Sequence, residues 1–455
     1  MSSSEDLNGF LTLTLKTDVD SIIEESADRL QVPEKLHHLI DRTENHEPLF
    51  NTSLWAPATL SHGLCGTAVF YNRLSHRISD YQSLAYQHLA YAAQRIQWVA
   101  NGGLMGGPTG VLAVAQELAR KPSDYASLRS KLTGWVCKNQ ELLIGQFRHQ
   151  IGQGVPWLAY DVMNGISGNL RILLEENSEE SVRAMRMSMD FLCDLVLSKT
   201  PTGQPGWWVP PEMQPTEEDR EQYPQGDYNL GIAHGIAGVL GTFVSCVEHG
   251  FVSKRVMTAL ETMTAWIVHW QQQTEKFSFW PARIPANVQE GDETYHILPT
   301  RAGWCYGTPG ICVELMRASR VLDDPQLSDR AVKVLKSHLS SADNEWHLGG
   351  PMFCHGYAGT LYLVYKAWSL THDADLKDIG TDFVTLLLDQ ADSASPLLFQ
   401  DKISFYDAKD HQTVHIKKLD NIGLLQGSSG AALVLDTIAH PEKHDFYWDR
   451  IFALS

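Results

Sequence analysis

The sequence has no stretch of about 18 consecutive apolar residues, so it offers no segment able to cross a bilayer as a helix. Nor does the opening decapeptide, MSSSEDLNGF, carry the basic residues followed by an apolar run that a secretory signal needs. Cysteine is scarce. Cys65, Cys137, Cys193, Cys246, Cys305, Cys312 and Cys354 are odd in number and scattered, which argues against a disulfide framework and suits a reducing compartment. Positive charge is also short, with 36 Lys and Arg against 54 Asp and Glu, and the net −18 argues against phosphate neutralisation as the surface's main task. Together these absences predict a soluble cytoplasmic protein that binds no nucleic acid and is not integral to a membrane. An acidic body would attract a cationic peptide or small molecule, although the same charge serves solubility equally well.

Apolar surface, by contrast, is ample: 43% of the 455 residues are hydrophobic and 20% charged, so a large core is available. Length alone allows about three domains or one large repeat-built domain. A repeat favours the second. Gly-x-x-Gly followed by an apolar stretch begins at Gly63, Gly107, Gly165, Gly235, Gly307, Gly356 and Gly427, with successive starts 44, 58, 70, 72, 49 and 71 residues apart. Each run after the glycines has helical spacing, so each motif reads as a loop entering a buried helix. Between them lie amphipathic segments, such as Leu89, Ala92, Ala93, Ile96 and Val99, or Val256, Leu260, Met263, Ile267 and Trp270. Paired helices that cannot bury their apolar faces alone must stack. Seven pairs predict a closed ring with the small-residue helices inside and the seven loops gathered at one end.

The longer gaps contain additions. Residues 199–229 are rich in Pro, Gly and acid and read as a long loop, while 277–285 and 397–419 have strand-like composition. All three are expected as insertions in one domain rather than as separate domains.

Three loops carry polar residues that a purely structural repeat does not need. TRAGWCYGTPG places Cys305 two residues before Gly307, FCHGYAG places Cys354 and His355 before Gly356, and IAHGIAG places His234 before Gly235. If the repeats are equivalent, two thiolates and an imidazole converge and give zinc three ligands with a fourth position open; otherwise the cysteines are small buried hydrophobes and the His a satisfied polar residue. Asp161, four residues before Gly165, either orients the His234 ring or tightens its own loop. Arg301 and Tyr306, flanking Cys305, either stabilise an anion or serve as scaffold contacts. His62 and the remaining cysteines read as structural, with Cys65 the most ambiguous by its place on a loop.

These loops resemble those of the lanthionine synthetase C-like family, specifically its stand-alone bacterial (class I) lantibiotic cyclases. The resemblance rests on GWCYGTPGI at 303–311 and CHGYAG at 354–359, supported by AHGIAG at 233–238, YDVMNGISG at 160–168 and QGSSGAAL at 426–433. It implies an all-α fold, an α/α toroid of seven inner and seven outer helices, with a small β-containing extension for which residues 272–300 are the candidate. It further implies one Zn2+ held by Cys305, Cys354 and His355, with Asp161 and His234 as acid/base pair and Arg301 and Tyr306 as further catalytic residues. The implied reaction is Michael addition of Cys thiolates in a dehydrated lantibiotic precursor peptide to dehydroalanine or dehydrobutyrine. About 60 residues precede the first repeat, so cyclisation alone is expected, with dehydration supplied by a partner. Docking with that dehydratase and a peptide transporter at the membrane is left open. Two alternatives stand beside this reading. A non-catalytic thiol- or peptide-binding family member is one; the other is an α/α-barrel carbohydrate enzyme, which would need a second carboxylate beside Asp161.

Overall fold

The first helices, α1 (Leu13–Arg29) and α2 (Pro33–Ile40), precede the first Gly-x-x-Gly loop in a computed structural model that describes residues 9–97, 102–291, 296–341, 346–406, 414–441 and 447–455. Every Gly-x-x-Gly then opens a helix, its first glycine standing at the N-cap. These are α3 (Leu64–Ser75), α5 (Pro108–Glu117), α7 (Ile166–Leu173), α10 (Ile236–Glu248), α13 (Thr308–Leu322), α15 (Tyr357–Thr371) and α17 (Ser428–Ala439). The intervening helices are α4 (Tyr81–Ala93), α6 (Ala126–Phe147), α8 (Glu179–Leu197), α11 (Lys254–His269), α14 (Pro325–Leu339) and α16 (Ala374–Leu388).

Burial separates the two sets. All residues of α3, α7 and α17 are buried, whereas α11 buries only Val256, Ala259, Leu260, Met263, Thr264 and Ile267, one stripe at helical spacing. The two sets differ in residue type as well: the inner helices are mainly apolar or small on all faces, with a few buried polar groups such as Arg73, Arg171 and Asp436, and the outer ones carry charges on one face. The partner of α17 is not a helix that follows it but α1, so the N-terminal segment supplies the seventh outer helix. The predicted segment from Leu89 is helical only to Ala93; Ile96 lies beyond the helix and Val99 outside the described residues.

The second glycine of the motif has a steric reason. A Cβ at Gly168 would stand 1.9 Å from the Val162 carbonyl oxygen, and one at Gly359 1.8 Å from that of Phe353. At these two helices, as at Gly238 and Gly430, the first turn thus lies against the backbone of its own entry loop, a spacing only glycine permits, while Gly66 meets the backbone of the loop that enters α17.

The chain divides into two compact units, each assembled from segments distant in sequence. One comprises Met1–Gln97, Met105–Tyr125 and Leu348–Phe446; the other Trp98–Leu104, Ala126–His347 and Tyr447–Ser455. In the first, α3, α5, α15 and α17 pack with α1, α4 and α16, and Asp436 of α17, fully buried, accepts from Arg73 at 2.7 Å and Arg77 at 2.6 Å. In the second, α7, α10 and α13 pack with α6, α8, α11 and α14. There the buried Arg171 and Arg317 donate to carbonyls of the 447–455 segment, which satisfies charges that would otherwise be costly inside.

Strands occur where the composition indicated. β1 (Asp227–Asn229) pairs antiparallel with β4 (Arg283–Pro285), β2 (Gln272–Gln273) with β3 (Ser278–Phe279), and β5 (Gln400–Tyr406) with β6 (Val414–Asp420). Residues 407–413, within the predicted 397–419 stretch, and 292–295, within 272–300, fall outside the described residues. The 199–229 segment is not only loop: it carries the short α9 (Glu217–Gln222) as well as β1, and β4 runs directly into the four-residue α12 (Ala286–Gln289). β1, from the 199–229 segment, and β4, from within 272–300, thus share one sheet.

Candidate functional site

Backbone hydrogen bonds tie the functional loops to one another before any side chain is considered. Val162 N–H donates to the Ala233 carbonyl at 3.1 Å, and Ala233 N–H to the Cys305 carbonyl at 3.3 Å. The loops bearing Asp161, His234 and Cys305 are therefore held in register. In the other unit, Cys354 N–H donates to Leu425 and Leu424 N–H to Leu60, fixing the loop that bears Cys354 and His355 in the same manner.

On this frame Asp161, 3% exposed, divides its two oxygens. Oδ1 accepts from the N–H groups of Asn164 (2.9 Å) and Gly165 (2.6 Å), and Oδ2 faces His234 Nδ1 at 2.7 Å. Both roles left open by the sequence are thus filled by one carboxylate. Since a carboxylate only accepts, Nδ1 carries the proton and Nε2 of the neutral ring keeps its lone pair. The imidazole also stacks on Trp157, with centroids 5.1 Å apart and planes at 24°.

Tyr306 lies 6.3 Å from the His234 ring, centroid to centroid. Its hydroxyl oxygen accepts from Asn229 Nδ2 at 3.2 Å, while Asn229 Oδ1 accepts from Gly231 N–H at 2.9 Å. Burial, the largest influence, pushes the Tyr306 phenol well above its ordinary range, so it keeps its proton at all physiological pH. Arg301 is exposed, and its carbonyl presses against Gly307, whose φ of +118° only glycine adopts without strain.

The sulfurs of Cys305 and Cys354 and a ring nitrogen of His355 all lie within 4.8 Å of one another. Among the described residues this is the only group of three or more His, Cys, Asp or Glu side chains so placed. Two thiols and one imidazole, with no carboxylate in the group, suit zinc rather than a hard cation such as magnesium or calcium. Asp401, 4% exposed, interacts electrostatically with His355; burial raises its pKa above the ordinary carboxylate range and His355 opposes the rise. The other cysteines differ in character. Burial pushes Cys65, Cys137 and Cys246 up to about 12 and Cys193 to about 11, and raises Cys312 as well, so all five are inert packing groups. His62 is bonded to Gln426 and made less basic by burial.

A model of the lanthionine synthetase C-like protein family matches residues 54–453. The chain belongs to that family. A relative within reach of sequence comparison is the nisin biosynthesis protein NisC of Lactococcus lactis subsp. lactis, 24% identical over 326 residues, which span 70% of this chain and 75% of NisC. A solved structure, nisin cyclase, superposes with a TM-score of 0.74 at 21% identity, covering 97% of this chain and 98% of its own. The family member described here thus has the predicted fold class, an all-α, α/α toroid with small sheets.

Sequence reasoning missed four neighbours. Trp157 sits on a short 3-10 turn before Asp161, Asn229 and Arg283 face each other across β1 and β4, and Asp401 is the second residue of β5. None belongs to a Gly-x-x-Gly loop.

Proposed function

We propose that the protein is a zinc-dependent lantibiotic cyclase, forming thioether rings in a dehydrated lantibiotic precursor peptide by adding Cys thiols to dehydroalanine or dehydrobutyrine. The observation that carries the reading is the closeness of the Cys305, Cys354 and His355 ligand atoms in a member of this family. The names of the two relatives, one a nisin biosynthesis protein and the other a cyclase, agree with it. Zinc held by these three residues would supply a thiolate near neutral pH from a substrate thiol whose free pKa is about 8.5.

The net change is addition of S–H across C=C. A carbon–sulfur bond forms at the β-carbon, the π electrons pass to the carbonyl oxygen as an enolate, and a proton arrives at the α-carbon; no atom leaves. Asp161 fixes His234 so that Nε2 is the ring atom available to take a proton and return it. We assign protonation of the α-carbon to His234. Tyr306 already accepts from Asn229 and keeps its own proton, so it can donate toward the enolate oxygen, with the Arg301 charge reinforcing it.

The same proposal takes residues 1–455 as one cyclase domain, with 272–300 contributing to the extension, and the cytoplasm as its place of action. It includes docking with a dehydratase and a peptide transporter at the membrane. Among the described residues no helix is long and apolar enough to cross one. The test is incubation with dehydrated precursor peptide followed by alkylation of remaining thiols and mass analysis. Loss of alkylatable thiols at unchanged peptide mass is expected; full retention of every thiol overturns the proposal.

A further inference from the structure

The indole of Trp157 is shared. His234 stacks on it at 5.1 Å, and the guanidinium carbon of Arg283 lies 4.9 Å from its centroid. Arg283 is itself immobilised. Its side chain is 10% exposed, Nε donates to the fully buried Asp227 at 2.5 Å, Nη2 to Gln214 at 2.5 Å and Nη1 to Asp219, and Tyr223 lies 3.9 Å beneath the guanidinium carbon. Its backbone is set by the β1–β4 ladder, where it stands opposite Asn229, the residue that holds Tyr306. Trp157, in contrast, has a buried Nε1–H with no hydrogen-bond partner among the described residues. Stacking and packing, rather than a hydrogen bond, therefore hold the indole in place, and an electron-rich ring is well held by a cation and a second aromatic ring.

We infer that Arg283 is a positioning residue that acts on His234 through Trp157, so that the small β-containing extension serves to orient the proton-transferring imidazole. The Asp161 hydrogen bond fixes one ring atom of His234 but permits rotation about that contact. The stack removes the rotation and aims Nε2. Arg283 in turn keeps the indole from sliding, because its own charge is satisfied by Asp227 and Asp219 and does not compete for His234. This inference rests on the proposed role of His234, but its physical content, a three-member stack, does not.

The experiment is a double-mutant cycle with Trp157→Leu and Arg283→Lys, and Trp157→Phe as conservative rescue. Arg283→Lys keeps a cation for Asp227 while losing the planar face, so it tests the stack with less risk to folding. Trp157→Leu is expected to lower kcat about tenfold with KM within about twofold, as loss of aim rather than of binding, and Trp157→Phe to recover most of it. Arg283→Lys should lower kcat severalfold in the natural background and have no effect beside Trp157→Leu. A second readout needs no turnover: in the resting protein the His234 ring protons, shielded by the indole, should shift downfield in both single variants and no further in the double. Independent, additive effects of the two substitutions, or unchanged His234 signals in Trp157→Leu, overturn the inference. If no form of the protein cyclises peptide while the ring-proton shifts behave as stated, the cyclase proposal fails and the positioning stack stands.

Discussion

Asp161 and His234 are joined by a 2.7 Å contact between Oδ2 and Nδ1, while the other Asp161 oxygen gathers two backbone N–H groups of its own loop. Asp161→Asn separates these duties. The amide oxygen can still accept from the loop, but the amide nitrogen presents a donor to Nδ1 and favours the opposite tautomer. We expect kcat to fall about 10²- to 10⁴-fold. Stability should change by no more than about 1 kcal/mol, whereas Asp161→Ala, which strands the buried loop donors, costs about 1–3 kcal/mol. Kinetics and urea denaturation on both variants check the division; equal kcat for Asp161→Asn and the natural protein would contradict it.

Gly168 tests whether the inner-helix glycines shape the site. A methyl there collides with the Val162 carbonyl, one residue from Asp161, so Gly168→Ala should cost about 1–3 kcal/mol and lower kcat by displacing the carboxylate. Gly145→Ala in the outer helix α6 meets nothing within 4 Å and should instead stabilise by about 0.5–1 kcal/mol. Melting temperatures of the pair decide; a neutral Gly168→Ala argues against the close-packed entry turn.

The glycine repeat made the helical ring legible because its cause is local. A helix entering beside its own loop needs two glycines, and an inner helix needs small apolar residues on every face, so both leave a periodic trace. Cys305, Cys354 and His355 were legible for the same reason, since repeat equivalence places them at one end. What was not legible depends on contacts between residues remote in sequence. Trp157 earns its place beside His234, 77 positions away; Arg283 reaches it through strands whose pairing no local pattern announces. The origin of the seventh outer helix from α1 was hidden too, because an amphipathic stripe states that a partner exists and not which one.

The cysteines should sort by reactivity. With Cys65, Cys137, Cys193, Cys246 and Cys312 all raised by burial, a thiol reagent at about pH 8 should label only Cys305 and Cys354 in the native metal-free protein. Added zinc should protect both. Peptide mapping after labelling reads this directly, and early modification of any of the other five would contradict the packing described.

Acid should destabilise the fold through two buried imidazoles. Burial lowers His88, which contacts Thr67 and Gln31, and His338, which packs against Phe277, each to about 4 from 6.5. The folded form then binds fewer protons than the unfolded chain between those values, so their contribution is complete above 6.5 and is lost as pH falls toward 4. The loss is on the order of 3 kcal/mol per group at most. Denaturation at pH 7, 5.5 and 4.5 should show falling stability, and His88→Gln should flatten the slope; an unchanged slope would reject the assignment.

The most direct test of the account is metal stoichiometry on purified protein reconstituted with zinc and then dialysed. One zinc per chain is predicted, falling to none in Cys354→Ala together with loss of ring formation on dehydrated peptide. Zinc-free natural protein that still closes rings, or a Cys354→Ala variant that retains both metal and activity, would contradict it.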